Sequence, residues 1–311
     1  MVDLVGRDIL DGAQFTRDEL ERILEVAAEF QEQLKHRTQP RLMEGYVMGA
    51  LFFEPSTRTR LSFETAMHRL GGAVVGFASA GASSTAKGES LEDTIRTVDQ
   101  YVDIIAMRHP EIGSAERAAA VAEAVVINGG DGAGQHPTQA LLDLFTIKSE
   151  RGQVDGNTIV LCGDLKNGRT VHAGVELYKH YDCKLVFVAP EALRMPAGIT
   201  AALREQGISV EETTELEPAL AQADVFYMTR IQKERFADPA KYEQLKGSYI
   251  LTRDLLDRVN PDVTVLHPLP RVDEITTDVD DLPTAAYFRQ MKSGVTIRMA
   301  LISLVMGKVS S

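Results

Sequence analysis

YVMGALFFEPSTRTRLSFETAMHRLGGAVVGF, residues 46–77, decides the fold. Residues 46–53 form an apolar run that reads as a buried strand. Pro55 and the hydroxyls of Ser56 and Thr57 interrupt it. Residues 61–70 then take up a helical rhythm that closes at Gly71-Gly72, a helix C-terminal signal. Residues 73–77 read as a second buried strand. Strand, helix, strand is the unit of a parallel sheet, whose crossovers place helices over its faces.

The same alternation continues on both sides. Upstream, residues 16–35 read as an amphipathic helix. Thr16 and Glu19 have capping-box spacing, and Leu20, Ile23, Leu24, Ala27, Phe30 and Leu34 share one face. Downstream, 78–88 is small, polar and rich in Gly and Ser, so it reads as an exposed mobile loop. Leu91, Ile95 and Val98 mark the next helix, 103–107 and 124–127 the next strands, and Pro137 the start of a long helix. The polar stretch 148–157 reads as a boundary. After it come strand 158–162, helix 170–181, strand 184–189, helix 198–206, strands 225–229 and 264–266, and an apolar helix over 285–304. The expected fold is α/β, with two doubly wound, Rossmann-like parallel-sheet domains and an active-site cleft between them. One domain spans 1–147, with the C-terminal helix 285–311 packing back on it. The other spans 148–284.

Composition narrows the function. The chain has 311 residues, 45 acidic and 33 basic side chains, a net charge of −12, and ordinary hydrophobic and charged fractions of 44% and 25%. Such a chain can bury enough apolar surface to fold. The acidic balance argues against general nucleic-acid binding. No apolar run approaches a membrane span, and no signal peptide is evident at the start. Cys162 and Cys183 have no metal-site spacing. A cytoplasmic setting fits this pattern.

In open parallel sheets ligands bind beyond the C-terminal strand ends, and the unusual residues fall there. Ser56-Thr57-Arg58-Thr59-Arg60 follows a strand and opens a helix. Unpaired N–H groups, the helix dipole and two hydroxyl–arginine pairs make an anion site, most simply for phosphate. Arg108 follows strand 103–107 and can reach the same anion. His136-Pro137-Thr138-Gln139 follows a glycine-rich stretch that permits tight turns and close backbone approach. His136 and Gln139 stand at the helix start, where a neutral imidazole can donate to a carbonyl oxygen or move a proton. Gly163 to Thr170 imitates a P-loop, but Arg169 replaces the diagnostic lysine. A guanidinium fork there suits a carboxylate. Arg230 and Gln232, after strand 225–229, can supply a second carboxylate clamp. Lys87 and Ser83 sit in the mobile loop, where an ordinary solvated lysine is the plainer reading. No metal cluster and no Ser/His/Asp or Cys/His nucleophile pattern stands out. The pattern favours joining or transfer between two anionic small molecules without a cofactor.

At this point the motifs point to a family. Residues 53–64, FEPSTRTRLSFE, with His136-Pro137-Thr138-Gln139 and His267-Pro268-Leu269-Pro270, resemble the carbamoyl-phosphate signatures of the aspartate/ornithine carbamoyltransferases. The similarity runs from about residue 8 to 305. It is to the aspartate branch of the family. The segment His267-Pro268-Leu269-Pro270 lacks the cysteine usual in the ornithine branch, and Tyr227-Met228-Thr229-Arg230-Ile231-Gln232 stands where that branch carries its ornithine segment. Two arginines also suit an aspartate dianion better than a cationic ornithine side chain.

The resemblance implies transfer of the carbamoyl group of carbamoyl phosphate to the α-amine of L-aspartate, the committed step of de novo pyrimidine biosynthesis. It implies that Ser56, Thr57, Arg58 and Thr59 hold the phosphate. Thr59, Arg108 and His136 then stand near the carbonyl oxygen, with Gln139 also on the carbamoyl group. The Pro268 and Leu269 carbonyls accept from its NH2. Arg169, Arg230 and Gln232 bind aspartate. Ser83 and Lys87 are implied to reach the neighbouring subunit's active site in a homotrimer, to which regulatory chains can attach. Ala173 stands where the family often carries serine, so one hydroxyl near the aspartate side is absent. The rival readings are carbamoyl transfer to ornithine or another amine, a non-catalytic anion-binding relative, and an oxidoreductase, which would need a glycine fingerprint the chain lacks.

Overall fold

A computed structural model of the chain describes residues 3–82, 88–232 and 239–309. The chain forms two compact units, residues 1–145 with 291–311, and residues 146–290.

In the first unit α1 (Arg17–Lys35) is followed by β1 (Val47–Phe52), α2 (Thr57–Arg69), β2 (Ala73–Phe77), α3 (Leu91–Val98), β3 (Ile104–His109), α4 (Ser114–Ala119) and β4 (Val125–Asp131), and α5 (Pro137–Arg151) begins in this unit and ends in the next. Thr16 caps α1, and the expected reciprocal bonds with Glu19 are formed. The strands are parallel and lie in the order β2-β1-β3-β4. Leu51, Phe53, Ile105, Met107 and Val126 pack with Leu91 and Ile95 of α3 on one side of this sheet. The strand 73–77, expected to be buried, is instead an exposed edge with Val75 47% accessible. It pairs on one side only, with β1. An apolar run does not distinguish that place from the sheet centre.

In the second unit β5 (Thr158–Cys162), α6 (Arg169–Tyr178), β6 (Lys184–Val188), α7 (Ala197–Glu205), β7 (Ser209–Thr213), α8 (Leu216–Ala221), β8 (Val225–Met228), α9 (Pro239–Leu245), α10 (Arg253–Val259) and β9 (Thr264–Leu266) follow in turn. The order is β7-β6-β5-β8-β9, again all parallel. The core on one face joins Val160, Val186, Phe226, Met228 and Val265 to helix residues such as Leu220 and Leu256. α11 (Tyr287–Val305) closes the chain.

Each sheet has one place where strand order reverses. In the first unit the chain winds outward from β1 to β2, then returns to β3 on the other side. In the second it winds from β5 through β6 and β7, then returns to β8. The loops beyond β1 and β3, and beyond β5 and β8, therefore diverge and leave a crevice over each sheet, the place where open parallel sheets bind ligands.

Candidate functional site

The crevice over the first sheet begins at α2. Ser56 is its N-cap, with extended backbone, but its hydroxyl makes no capping bond. The first turn holds Thr57, Arg58 and Thr59 and no acidic residue. Thr59 is buried, whereas Thr57 and Arg58 are exposed. The helix thus presents unpaired N–H groups, hydroxyls and a guanidinium around its positive end.

Opposite α2, β3 and β4 pass through a bulge. From Met107 to His109, β3 advances two residues, while β4 advances three, from Asn128 to Asp131. Arg108 thereby faces Gly129 and Gly130 together, the kind of local kink that re-aims a side chain. The glycines expected to form a loop are strand residues at this point, and they form the floor of the site. A side-chain carbon on Gly129 would lie 3.3 Å from Thr59 Cγ2. On Gly130, at φ +119°, it would lie 3.0 Å from the Arg108 guanidinium and 3.4 Å from His136 Cδ2. Thr59, Arg108 and His136, far apart in sequence, meet around these two residues.

Buried bonds hold the floor. Asn128 Oδ1 accepts from the Gly130 N–H at 2.8 Å, and Asp131 Oδ2 from the Gly113 N–H at 2.8 Å. Arg108 forms an ion pair with Glu54, makes a long 3.4 Å bond to the Gly129 carbonyl, and keeps a buried Nε with no hydrogen-bond partner. Pro137 opens α5 as expected, with His136 and Gln139 3% and 8% accessible. The Gln139 amide donates to Asp143 Oδ1 at 2.8 Å.

Glu54 and Asp143 were not singled out from sequence. Nor was Arg298, which is 2% accessible and donates to Thr138 Oγ1 at 3.1 Å and to the Gly294 carbonyl at 2.9 Å. Its guanidinium lies over the Phe63 ring. Burial pushes it down to about 9, with Asp143 opposing, so it remains charged at neutral pH. An arginine inside the apolar run 285–304 was the available signal.

The second sheet carries three further elements at adjacent strand ends. Arg169 opens α6 beyond β5. Arg230 and Gln232 follow β8, and Pro268 and Leu269 follow β9. The first two loops are stitched together. The Asp164 N–H donates to Thr229 Oγ1 at 3.1 Å, and Gln232 Nε2 to the Asn167 carbonyl at 3.3 Å. Gly163, at φ +118°, lets them approach, because a side-chain carbon there would lie 2.2 Å from the Thr229 carbonyl oxygen. Arg169, Arg230 and Gln232 are partly accessible, as are Pro268 and Leu269. Ser83 and Lys87 lie outside the described residues.

Among the described residues no three His, Cys, Asp or Glu side chains are grouped to hold a metal ion, and no helix is long and apolar enough to cross a membrane. Cys162 is fully buried, and burial pushes its thiol up, away from the thiolate a nucleophile requires.

The family model described as aspartate/ornithine carbamoyltransferase, carbamoyl-P binding domain, matches residues 7–149, and the Asp/Orn binding domain of the same family matches residues 155–305. The chain is 53% identical over 306 residues to the aspartate carbamoyltransferase catalytic subunit of Thermococcus gammatolerans, covering 98% of this chain and 99% of that one. It is similar to the solved catalytic subunit of M. jannaschii aspartate transcarbamoylase, with TM-score 0.91, 45% identity, and 97% and 98% of the two chains covered. Aspartate transcarbamoylase from Trypanosoma cruzi in complex with carbamoyl phosphate and aspartate matches with TM-score 0.92, 43% identity, and coverage of 97% and 98%.

Proposed function

Because the chain belongs to the aspartate/ornithine carbamoyltransferase family, we propose that it transfers the carbamoyl group of carbamoyl phosphate to the α-amine of L-aspartate, giving N-carbamoyl-L-aspartate and phosphate. The observation that carries this reading is the meeting of Thr59, Arg108 and His136 over the glycine floor beside the α2 N-terminus. That arrangement suits an acyl phosphate, with one grip for a phosphate and another for a carbonyl oxygen.

In this mechanism Ser56, Thr57, Arg58 and Thr59 take the phosphate on the helix end. In this reading carbamoyl phosphate binds first and aspartate follows. Thr59, Arg108 and His136 face the carbonyl oxygen with Gln139 beside them, and the orphaned Arg108 Nε leaves a buried donor for that oxygen. Arg169, Arg230 and Gln232 hold the aspartate carboxylates, and the Pro268 and Leu269 carbonyls accept from the carbamoyl NH2. The neutral α-amine attacks the carbamoyl carbon. A carbon–nitrogen bond forms, the carbon–oxygen bond to phosphate breaks, and the amine gives up one proton to the departing phosphate. Charge that develops on the carbonyl oxygen meets donors already in place, so little reorganisation is needed. Arg58 and Lys87 meet the charge growing on the leaving phosphate.

We extend the reading to the chain's setting. The reaction serves pyrimidine biosynthesis in the cytoplasm. The working form is a homotrimer in which Ser83 and Lys87 complete a neighbour's site, with regulatory chains as further partners.

The test offers carbamoyl phosphate with aspartate or ornithine side by side. Carbamoyl transfer to aspartate and not ornithine is expected. Transfer to ornithine alone would overturn the acceptor assignment, and no transfer to any amine would favour a non-catalytic anion binder.

A further inference from the structure

We propose that His267 and Glu274 are positioning residues that aim the Pro268 and Leu269 carbonyls at the carbamoyl NH2. The proposal rests on the reading above, in which those two carbonyls accept from that group. Leu269 has φ +53°, a left-handed conformation sparsely populated by residues with a side chain. Such a conformation persists where its surroundings over-determine it, and a chain of three groups does so here. The Leu269 N–H donates to His267 Nδ1 at 2.8 Å. His267 Nε2 lies 2.7 Å from Glu274 Oε1. Glu274 Oε2 accepts from the N–H groups of Val272 and Asp273, each at 3.1 Å. His267 and Glu274 are 1% and 6% accessible, and the His267 N–H donates to Gln290 Oε1 at 3.0 Å.

The direction of the effect follows from peptide geometry. The Leu269 N–H and the Pro268 carbonyl belong to one planar trans unit and point opposite ways. Fixing the N–H on His267 therefore fixes where the Pro268 oxygen points. The left-handed turn at Leu269 then sets the next carbonyl. Since Nδ1 accepts, the ring proton is assigned to Nε2, where it donates to the carboxylate. Glu274 thus selects the tautomer, as outer carboxylates do for histidines that must present one defined nitrogen.

Two substitutions separate the ring nitrogens. In His267→Asn the amide oxygen stands near the place of Nδ1 and keeps an acceptor for Leu269. In His267→Gln the longer amide reaches Glu274 but withdraws that acceptor. We expect His267→Gln to lower kcat on the order of 10²-fold, the cost of a reacting group misplaced by about 1 Å. The affinity for inorganic phosphate, held by the other unit in this reading, should not change. His267→Asn should recover most of the loss. Wild-type kcat in His267→Gln, or an Asn variant no better than the Gln variant, would overturn the proposal. Should His267→Gln not fold, 15N spectra of the wild-type chain decide it, because a proton on Nδ1 excludes the arrangement. Absence of carbamoyl transfer by the wild type would instead defeat the functional reading and leave the spectroscopic result standing.

Discussion

The two strand-reversal crevices are built differently. Over the first sheet Thr59, His136 and Gln139 are each less than a tenth accessible, the floor is a bulge, and a fully buried arginine braces the start of α5. Over the second sheet Arg169, Arg230 and Gln232 are partly accessible, and two long stitches join their loops. Donors that stabilise developing charge must be fixed before the reaction, since moving them during it forfeits their benefit. Groups that only recognise a carboxylate can adjust as it binds. On the function proposed above, the difference suits the first crevice to chemistry and the second to acceptor choice.

Arg108 gives the sharpest test of that division. Arg108→Ala should stay folded and lose about 10²–10³ in kcat, as removal of one preorganised donor typically does. Its Glu54 partner retains some solvent contact and can hydrate once the guanidinium is gone. A variant with wild-type kcat would break the comparison, because the first crevice would then only bind. Arg230→Ala should have a smaller effect of another kind. Charge-assisted hydrogen bonds contribute about 1.5–3 kcal/mol, so kcat/KM for aspartate should fall roughly 10- to 100-fold. Phosphate affinity should not change, but affinity for a compound joining a phosphonate to an aspartate-like dicarboxylate should weaken. Unchanged aspartate kinetics would remove Arg230 from the clamp.

The sequence carried more of the first crevice than of its supports. The capping box at Thr16 and Glu19, Pro137 at the start of α5, and the Ser56–Arg60 stretch are local patterns, and each forms where its spacing predicts. β7 was missed because Ser209-Val210-Glu211-Glu212-Thr213 is a polar edge strand with no apolar run. The extent of β4 was misread because its last residues include Gly129 and Gly130, which resemble a turn until Arg108 and His136 are seen to need the room. Arg298 with Thr138, and Glu54 with Arg108, are pairings between segments distant in sequence, and no periodicity encodes them. His267 and Glu274 stand close in sequence, but only the loop's course brings ring and carboxylate together.

The smallest expected effect separates the supports of the second unit by pH. Burial pushes the Glu274 carboxyl up, but hydrogen bonds from His267 and from backbone N–H groups outweigh it, and the group titrates below its ordinary value of 4.5. A depressed carboxylate contributes stability that is present above its unfolded value and lost as the pH falls through its folded one. Glu274→Gln keeps the shape of the side chain and cannot titrate. At neutral pH it should be less stable than the wild type by about 1 kcal/mol, the net worth of such a bond, or roughly 2–4 °C in Tm for a unit of this size. The gap should narrow as the pH drops below 4.5, where the wild-type carboxylate takes up its proton and loses the same advantage. Salt should change it little, since both partners are buried and screening acts mainly on exposed pairs. A gap of constant size from neutral to acid pH would mean that the substitution costs packing alone and that the carboxylate's charge does not hold the loop.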